Sequence, residues 1–148
     1  MAGLLAEAIK KAKRVYICGN GGSFANAQHI QNDLEGKGIR AHTVNPASLT
    51  RTANDQSYED IFAQWVGVHG EPGDLLLVLS GSGNSPNIIK ALRKGKELGM
   101  STWAMLGYPA GKAASIADVS IVAGPNMQAA EEAQLVAGHE VWGCLRNS

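Results

Sequence analysis

The chain has 148 residues, of which 45% are hydrophobic and 18% are charged, and these values are typical of one globular domain with a buried core. Its 13 Lys and Arg residues balance its 13 Asp and Glu residues, so no overall field draws the chain to nucleic acid or to an anionic membrane. No segment approaches the roughly 20 apolar residues of a membrane-spanning helix, and the amino-terminal residues lack the order of a secretory signal.

The two cysteines, Cys18 and Cys144, have neither a CxxC spacing nor a metal-type spacing, which is typical of reduced thiols. Reduced thiols indicate a protein of the cytoplasm. Length and composition lead us to expect one domain over residues 1–148, and the balanced charge and the lack of a long apolar segment lead us to expect no nucleic-acid and no membrane partner.

The sequence of the first half of the chain predicts a helix, a strand, a second helix and a second strand, in that order. Apolar residues at helical spacing between positions 4 and 9 predict a first helix, and residues 14–18 (RVYIC) predict a strand that ends at glycine. A helix is predicted from Ser23, which is placed as its N-cap, to Gly36, and a second strand over residues 40–44. These elements form a first βαβ unit.

The second half continues the alternation after a polar stretch at residues 45–57. The clearest core strand is residues 74–79 (DLLLVL), an apolar run that predicts burial on both faces. The other predicted elements are helices near 58–69, 86–99 and 127–145 and strands at 101–106 and 119–122. The fold class is therefore α/β, a flavodoxin-like three-layer sandwich of about five parallel strands with helices on both faces. In such folds ligands bind beyond the carboxyl ends of the strands.

The first glycine-rich loop, residues 19–23 (GNGGS), lies between a predicted strand and a predicted helix. Free backbone N–H groups and the positive end of the helix dipole converge there, which suits a phosphate or a sugar hydroxyl. The loop is not a dinucleotide motif, because Phe24 stands in place of the third glycine. Taken alone, it is equally consistent with close helix–strand packing.

The second loop, residues 80–85 (SGSGNS), repeats this arrangement after the most buried strand and adds three hydroxyls that can donate to phosphate oxygens. Ser85 is placed as an N-cap and Pro86 as the first helical residue, so the dipole of the next helix points into the loop. Two such loops favour a phosphate site more strongly than one, and turn chemistry without a ligand is the alternative.

A group of possible metal ligands lies on two predicted helices. His29 and Asp33 are four residues apart and so project from one helix face, a spacing that suits two ligands of one divalent metal. Glu131 and His139 are eight apart, which places them about 80° apart around the last helix, while Glu132 is angularly closer to His139. A hydrogen-bonded His29 with solvated carboxylates is the alternative interpretation.

Four blocks of this sequence resemble the sugar isomerase (SIS) domain family, and within it the phosphoheptose isomerase branch. The blocks are GNGGSFANAQHIQNDL from Gly19, Asn54-Asp55 followed by YEDIF, LSGSGNSPNIIKAL from Leu79, and EEAQLVAGH ending at His139, and the resemblance extends over nearly the whole chain. SGSGNS alone indicates an SIS domain, and GNGGS with a histidine six residues later narrows the resemblance to the branch.

The resemblance implies a set of site residues. The phosphate is expected at Ser80, Ser82 and Ser85, with Gly81 contributing its backbone. Contacts to the sugar are expected from Asn20, Gly21, Gly22, Asn54, Asp55, Asp33 and Glu131. The resemblance also implies a zinc site at His29, Asp33, Glu131 and His139, and Asp33 and His139 are expected to form the acid–base pair. Glu131 is preferred over Glu132 on the resemblance alone.

Three positions depart from the family pattern, which has threonine at Gly81, glutamate at Asp33 and glutamine at Glu131. The expected function is isomerisation of sedoheptulose 7-phosphate to D-glycero-D-manno-heptose 7-phosphate by metal-assisted proton transfer through an enediol. The resemblance further implies a homo-oligomer, a tetramer, that supplies heptose for lipopolysaccharide. The departures leave one alternative: a noncatalytic SIS module that binds a sugar phosphate as a regulator or as a protein-assembly unit.

Overall fold

A computed structural model describes residues 1–145, so the last three residues of the domain predicted over 1–148 lie outside it. Five strands form one sheet in the order β2-β1-β3-β4-β5, and every neighbouring pair is parallel. This arrangement confirms the predicted fold class. The strands are β1 (Val15–Gly19), β2 (Ala41–His42), β3 (Leu75–Ser80), β4 (Ser101–Leu106) and β5 (Val119–Val122).

Helices cover both faces of this sheet. They are α1 (Ala2–Lys11), α2 (Gly22–Glu35), α3 (Pro46–Asp55), α4 (Ile61–His69), α5 (Pro86–Glu97), α6 (Ala113–Ile116) and α7 (Met127–Leu145). No helix among residues 1–145 is both long enough and apolar enough to cross a membrane.

The core consists of two apolar layers, one on each side of the sheet, because successive strand residues point to opposite faces. In β3, Leu75, Leu77 and Leu79 pack with residues of α1, α2 and α7, whereas Leu76 and Val78 pack with residues of α4 and α5. Every residue of β3 is buried. The central position of this strand explains its continuous apolar run, and it fixes where the loop at residue 80 emerges.

The structure corrects several predicted element boundaries. The polar stretch at 45–57 contains α3, in which the Asn45 side chain accepts a hydrogen bond from the backbone N–H of Ser48 and Pro46 is the first helical residue. The helix predicted near 58–69 is a 3₁₀ turn (Tyr58–Asp60) followed by α4. The strand predicted over 40–44 has two residues, and the short helix α6 was not predicted.

Ser23 is not the N-cap of α2. That helix begins one residue earlier, with Gly21 at the N-cap in a backbone conformation of φ +56° that favours glycine. Ser23 is buried inside the first turn, where its hydroxyl donates to Gln134 Oε1 at 3.0 Å. The serine therefore joins α2 to α7 and does not cap α2.

Candidate functional site

The two glycine-rich loops lie side by side at the carboxyl edge of the sheet. Strands β1 and β3 are parallel neighbours whose last paired residues are Gly19 and Leu79, so both chains leave the sheet at the same point. Between the loops is a cavity of about 70 Å³. Its lining combines residues of both loops with one further residue of β3 and two residues of α7: Asn20, Ser23, Leu79, Ser80, Gly81, Ser82, Ser85, Met127 and Glu131.

Hydrogen bonds from backbone N–H groups to serine side chains brace the second loop, residues 80–85, which we call the serine loop. Ser80 Oγ accepts from the N–H of Gly83 at 3.0 Å, and Ser82 Oγ accepts from the N–H of Asn84 at 3.2 Å. Each hydroxyl oxygen is used as an acceptor, so its hydrogen remains available to donate to an anion. Ser85 stands at the N-cap of α5, and its side chain makes no capping hydrogen bond with that helix.

Two glycines of the site face side chains of α7 at close range. A Cβ atom at Gly81 would overlap Met127 Sδ, and a Cβ atom at Gly22 would lie 2.5 Å from the carboxylate of Glu131. Met127 thus occupies the space where a larger residue 81 would extend. The Glu131 carboxylate lies against the first turn of α2, where the helix dipole favours negative charge.

The predicted metal ligands meet farther along the same two helices. His29 Nε2 and His139 Nε2 are 3.0 Å apart, and Asp33 Oδ2 is 3.3 Å from the first and 3.8 Å from the second. The three ligand atoms lie within 4.8 Å of one another. Two imidazoles and one carboxylate are a donor set that suits zinc and leaves one coordination position open, as in catalytic zinc sites.

Glu131 is not part of this cluster of three residues in the described chain. It lies eight residues before His139, which corresponds to about 12 Å along α7. The structure places its side chain at the cavity between the loops. Its predicted roles at the metal and in substrate binding both stay predictions.

A close helix contact determines the geometry of the cluster. Helices α2 and α7 run in the same direction, since Ser23 bonds Gln134 and His29 meets His139. Gly138, which precedes His139, lies against the Ile30 side chain: a Cβ atom there would be 2.8 Å from Ile30 Cγ1. The absence of a side chain at residue 138 lets the two histidines approach each other.

Asn54 and Asp55 end α3 on the protein surface, and Asn54 Nδ2 donates to Asp55 Oδ1 at 2.9 Å. Neither residue lines the cavity between the loops. The 3₁₀ turn that follows does reach the loops, because Tyr58 Oη donates to Asn20 Oδ1 at 3.1 Å. The sequence analysis did not identify Tyr58, Asn87 or Met127 at this site, and their contacts depend on elements distant in sequence.

An ion-pair group fastens the 3₁₀ turn to α5. Lys90 Nζ lies 3.0 Å from Asp60 Oδ1 and 3.2 Å from Glu59 Oε2. Hydrogen bonds from Ser57 and then from Lys90 lower the pKa of Asp60, and the same two carboxylates raise the pKa of Lys90. Asp60 is therefore ionised at neutral pH, and the pair holds the turn that carries Tyr58.

The fold and this site define the class: an α/β domain with a ligand site built by two glycine- and serine-rich loops at the carboxyl ends of adjacent strands. Residues 1–107 match the SIS domain family. The phosphoheptose isomerase of Rhodospirillum rubrum is 35% identical over 99% of this chain and 83% of its own length, and that of Clostridium acetobutylicum is 39% identical over 93% and 75%. The chain belongs to the SIS domain family, in its phosphoheptose isomerase branch.

Solved structures agree with this placement. The phosphoheptose isomerase GmhA of Neisseria gonorrhoeae superimposes with a TM-score of 0.92 at 29% identity, covering 99% of this chain and 83% of that chain. A phosphoheptose isomerase of Francisella tularensis gives the same TM-score at 26% identity, covering 99% and 85%.

Proposed function

We propose that this chain is a phosphoheptose isomerase that converts sedoheptulose 7-phosphate into D-glycero-D-manno-heptose 7-phosphate. The observation that carries the proposal is the pairing of two centres on the same helices: a serine-lined cavity at one end of α2 and a His/Asp/His cluster farther along it. His29 follows Gly22 by seven residues, or about 10 Å of helix. That separation suits a substrate whose phosphate and reacting carbons stand at opposite ends of a seven-carbon chain.

The serine loop would bind the phosphate. The hydroxyl hydrogens of Ser80 and Ser82 remain available to donate to an anion, because both oxygens act as acceptors toward the loop backbone. Ser85 adds a hydroxyl at the start of α5, whose dipole favours an anion. Gly81 would contribute its backbone only. Asn20, Gly21 and Gly22 would contact the sugar, and Asn54 and Asp55 are proposed contacts from the resemblance.

The histidine–carboxylate cluster would perform the proton transfer. In this isomerisation a proton leaves C1 of the ketose and a proton is delivered to C2, while the hydrogen of the C1 hydroxyl moves to the C2 oxygen. Asp33 and His139 are the proposed acid–base pair. Asp33 Oδ2 faces both imidazoles, so its second oxygen, Oδ1, is the atom we assign to accept the C1 proton.

His29, Asp33 and His139 fit a zinc ion. The resemblance adds Glu131 to this set, but within one chain its carboxylate lies at the cavity between the loops, about 12 Å along α7 from His139, so we assign the ion to the other three residues with one coordination position open. When bound, zinc would polarise the substrate carbonyl and stabilise the negative charge that develops on its oxygen. A ligated imidazole lacks a free lone pair, so Asp33 Oδ1 is assigned both to accept the proton from C1 and to return it to C2, and His139 would act in the acid–base pair only while it is not bound to the ion.

The solvent exposure of the His29, Asp33 and His139 cluster supports the proposal that several copies of this chain assemble into an oligomer. The side chains of His29 and His139 are 47% and 56% exposed in the isolated chain, although proton transfer next to a carbonyl requires exclusion of water. A second subunit packed over α2 and α7 would exclude it. We therefore propose a cytoplasmic homo-oligomer, a tetramer by the resemblance, that supplies heptose for lipopolysaccharide.

The test is turnover of sedoheptulose 7-phosphate by purified protein after chelation, with and without added zinc. We expect zinc-dependent formation of heptose 7-phosphate, reduced at least about 100-fold in His139→Ala. His69→Ala, which removes an exposed histidine at the end of α4, is the matched control and should retain activity. Saturable binding of sedoheptulose 7-phosphate without turnover would instead identify a noncatalytic SIS module, and the 35–39% identity to named isomerases speaks against that outcome.

A further inference from the structure

A reciprocal amide pair joins the two loops. Asn20 Nδ2 donates to Asn87 Oδ1 at 2.9 Å, and Asn87 Nδ2 donates back to Asn20 Oδ1 at 2.9 Å. Asn20 belongs to the first loop, and Asn87 is the second residue of α5, directly after the serine loop. Asn87 is 2% exposed, so its amide competes little with water. The pair thus ties the loop after β1 to the helix after β3.

The hydrogen bonds of Asn20 also determine what this residue can offer a ligand. A carbonyl oxygen has two lone pairs, and Asn20 Oδ1 accepts from both Asn87 Nδ2 and Tyr58 Oη. Its amide nitrogen has two hydrogens, one of which goes to Asn87. The remaining N–H is the part of the side chain left for a ligand, and it can only donate.

We propose that Asn87 is a positioning residue that fixes Asn20 as a single N–H donor to an oxygen of the sugar. This inference rests on the proposed function, in which Asn20 contacts the substrate. Without Asn87 the Asn20 amide could rotate and present its oxygen, which would face a sugar oxygen with a like partial charge. Tyr58 has a supporting role, because it fills the second lone pair of the same oxygen and is itself 56% exposed.

The proposal separates Asn87 from phosphate binding. The phosphate is assigned to the hydroxyls of Ser80, Ser82 and Ser85, none of which hydrogen-bonds either amide among the contacts of the described residues. Loss of Asn87 should therefore leave the phosphate end of the substrate in place and misalign the reacting end. The effect should fall on kcat more than on KM, and inhibition by inorganic phosphate should be unchanged.

The experiment is a double-mutant cycle on isomerase kinetics with Asn20→Ala, Asn87→Leu and the double variant. Leucine has the same number of side-chain heavy atoms and the same branching as asparagine, so Asn87→Leu should fold, and Asn87→Ala replaces it in the cycle if it does not. We expect Asn87→Leu to lower kcat by about 10- to 100-fold, the scale of an ångström of misplacement. The double variant should be within about 2-fold of Asn20→Ala, since Asn87 acts through Asn20. The Ki of inorganic phosphate should change less than about 2-fold.

Asp118→Asn is the control, because it weakens the hydrogen bonds of this carboxylate with Lys96 and Thr102 at the opposite edge of the sheet and destabilises the fold without touching either loop. It should lower the melting temperature and leave kcat unchanged. Additive losses in the cycle, or a Ki for phosphate that rises as much as kcat falls, would overturn the proposal. If the wild-type protein shows no turnover, the proposed function fails, and the same cycle is then run on the Kd of sedoheptulose 7-phosphate by calorimetry. Additivity in Kd, or no binding at all, overturns the inference as well.

Discussion

Gly138 allows α2 and α7 to approach closely enough for His29 and His139 to meet, and Gly138→Ala tests this directly. The added Cβ would lie 2.8 Å from Ile30 Cγ1 and 3.1 Å from Ile30 Cδ1, whereas ordinary contacts begin near 3.4 Å. The Ile30 side chain is packed between the helices, so we expect the helices to separate locally by about 0.6 Å, and overpacking of this kind costs about 1–3 kcal/mol. Alanine recovers about 1 kcal/mol through its helix propensity.

Gly143→Ala is the matched control on the same helix, because nothing lies within 4 Å of a Cβ atom at residue 143. It should gain up to about 1 kcal/mol in the free energy of unfolding, measured by urea denaturation. Gly138→Ala should be about 1–3 kcal/mol less stable than this control.

Zinc affinity supplies the decisive comparison. A displacement of about 0.6 Å exceeds the roughly 0.2 Å within which zinc–ligand distances are held, so Gly138→Ala should bind zinc at least about 10-fold more weakly. Competition with a chromophoric chelator measures this affinity. If Gly138→Ala binds zinc as tightly as Gly143→Ala does, the contact at Ile30 does not control the cluster and the reasoning is refuted. Adding Ile30→Ala should recover part of the lost affinity, because it removes both clashing atoms.

Two further predictions concern the protonation and reactivity of residues away from the site. Burial acts to raise the pKa of Asp118, but hydrogen bonds from Lys96 and Thr102 outweigh it and leave this pKa below its usual value. The carboxylate therefore stabilises the fold above about pH 4, and this contribution is lost as the pH falls through the folded-state pKa. Asp118→Asn should lower the free energy of unfolding by about 1–2 kcal/mol at pH 7 and by less near pH 3. The second prediction concerns the thiols: burial raises the pKa of Cys18, whereas Cys144 is exposed. A disulfide reagent should therefore modify one thiol in the native protein and two in denaturant. Rapid modification of both thiols in the native protein would contradict this prediction.

Much of the fold was predictable because the signals are local. The run at residues 74–79 predicted a strand buried on both faces, and the structure confirms it as β3 at the centre of the sheet. Helix α3 was missed although its cap was visible, since an asparagine followed by proline and a hydrogen-bonding partner three residues later is a helix start. Its polar composition outweighed that signal in the prediction.

In the candidate site, too, contacts within one element were predictable from the sequence, and contacts between distant elements were not. The i, i+4 spacing of His29 and Asp33 could be read from the sequence, because both residues lie on one helix. The approach of His139 depends on packing between helices that are more than 90 residues apart in the chain. The amide pair of Asn20 and Asn87 was not predictable for the same reason, since neither residue carries a local sign of its partner.

Two of the departures from the family pattern, Gly81 and Glu131, are connected through helix α7. The spacing of residues within each loop could not reveal this connection. Met127 and Glu131 are four residues apart and so share one face of that helix. Met127 fills the space next to Gly81, and Glu131 fills the space next to Gly22, so one turn of α7 forms a wall against both glycine-rich loops. A larger residue at position 81 would need Met127 to move. A threonine at position 81 would therefore meet Met127, and residues 81 and 127 together shape the cavity between the two loops.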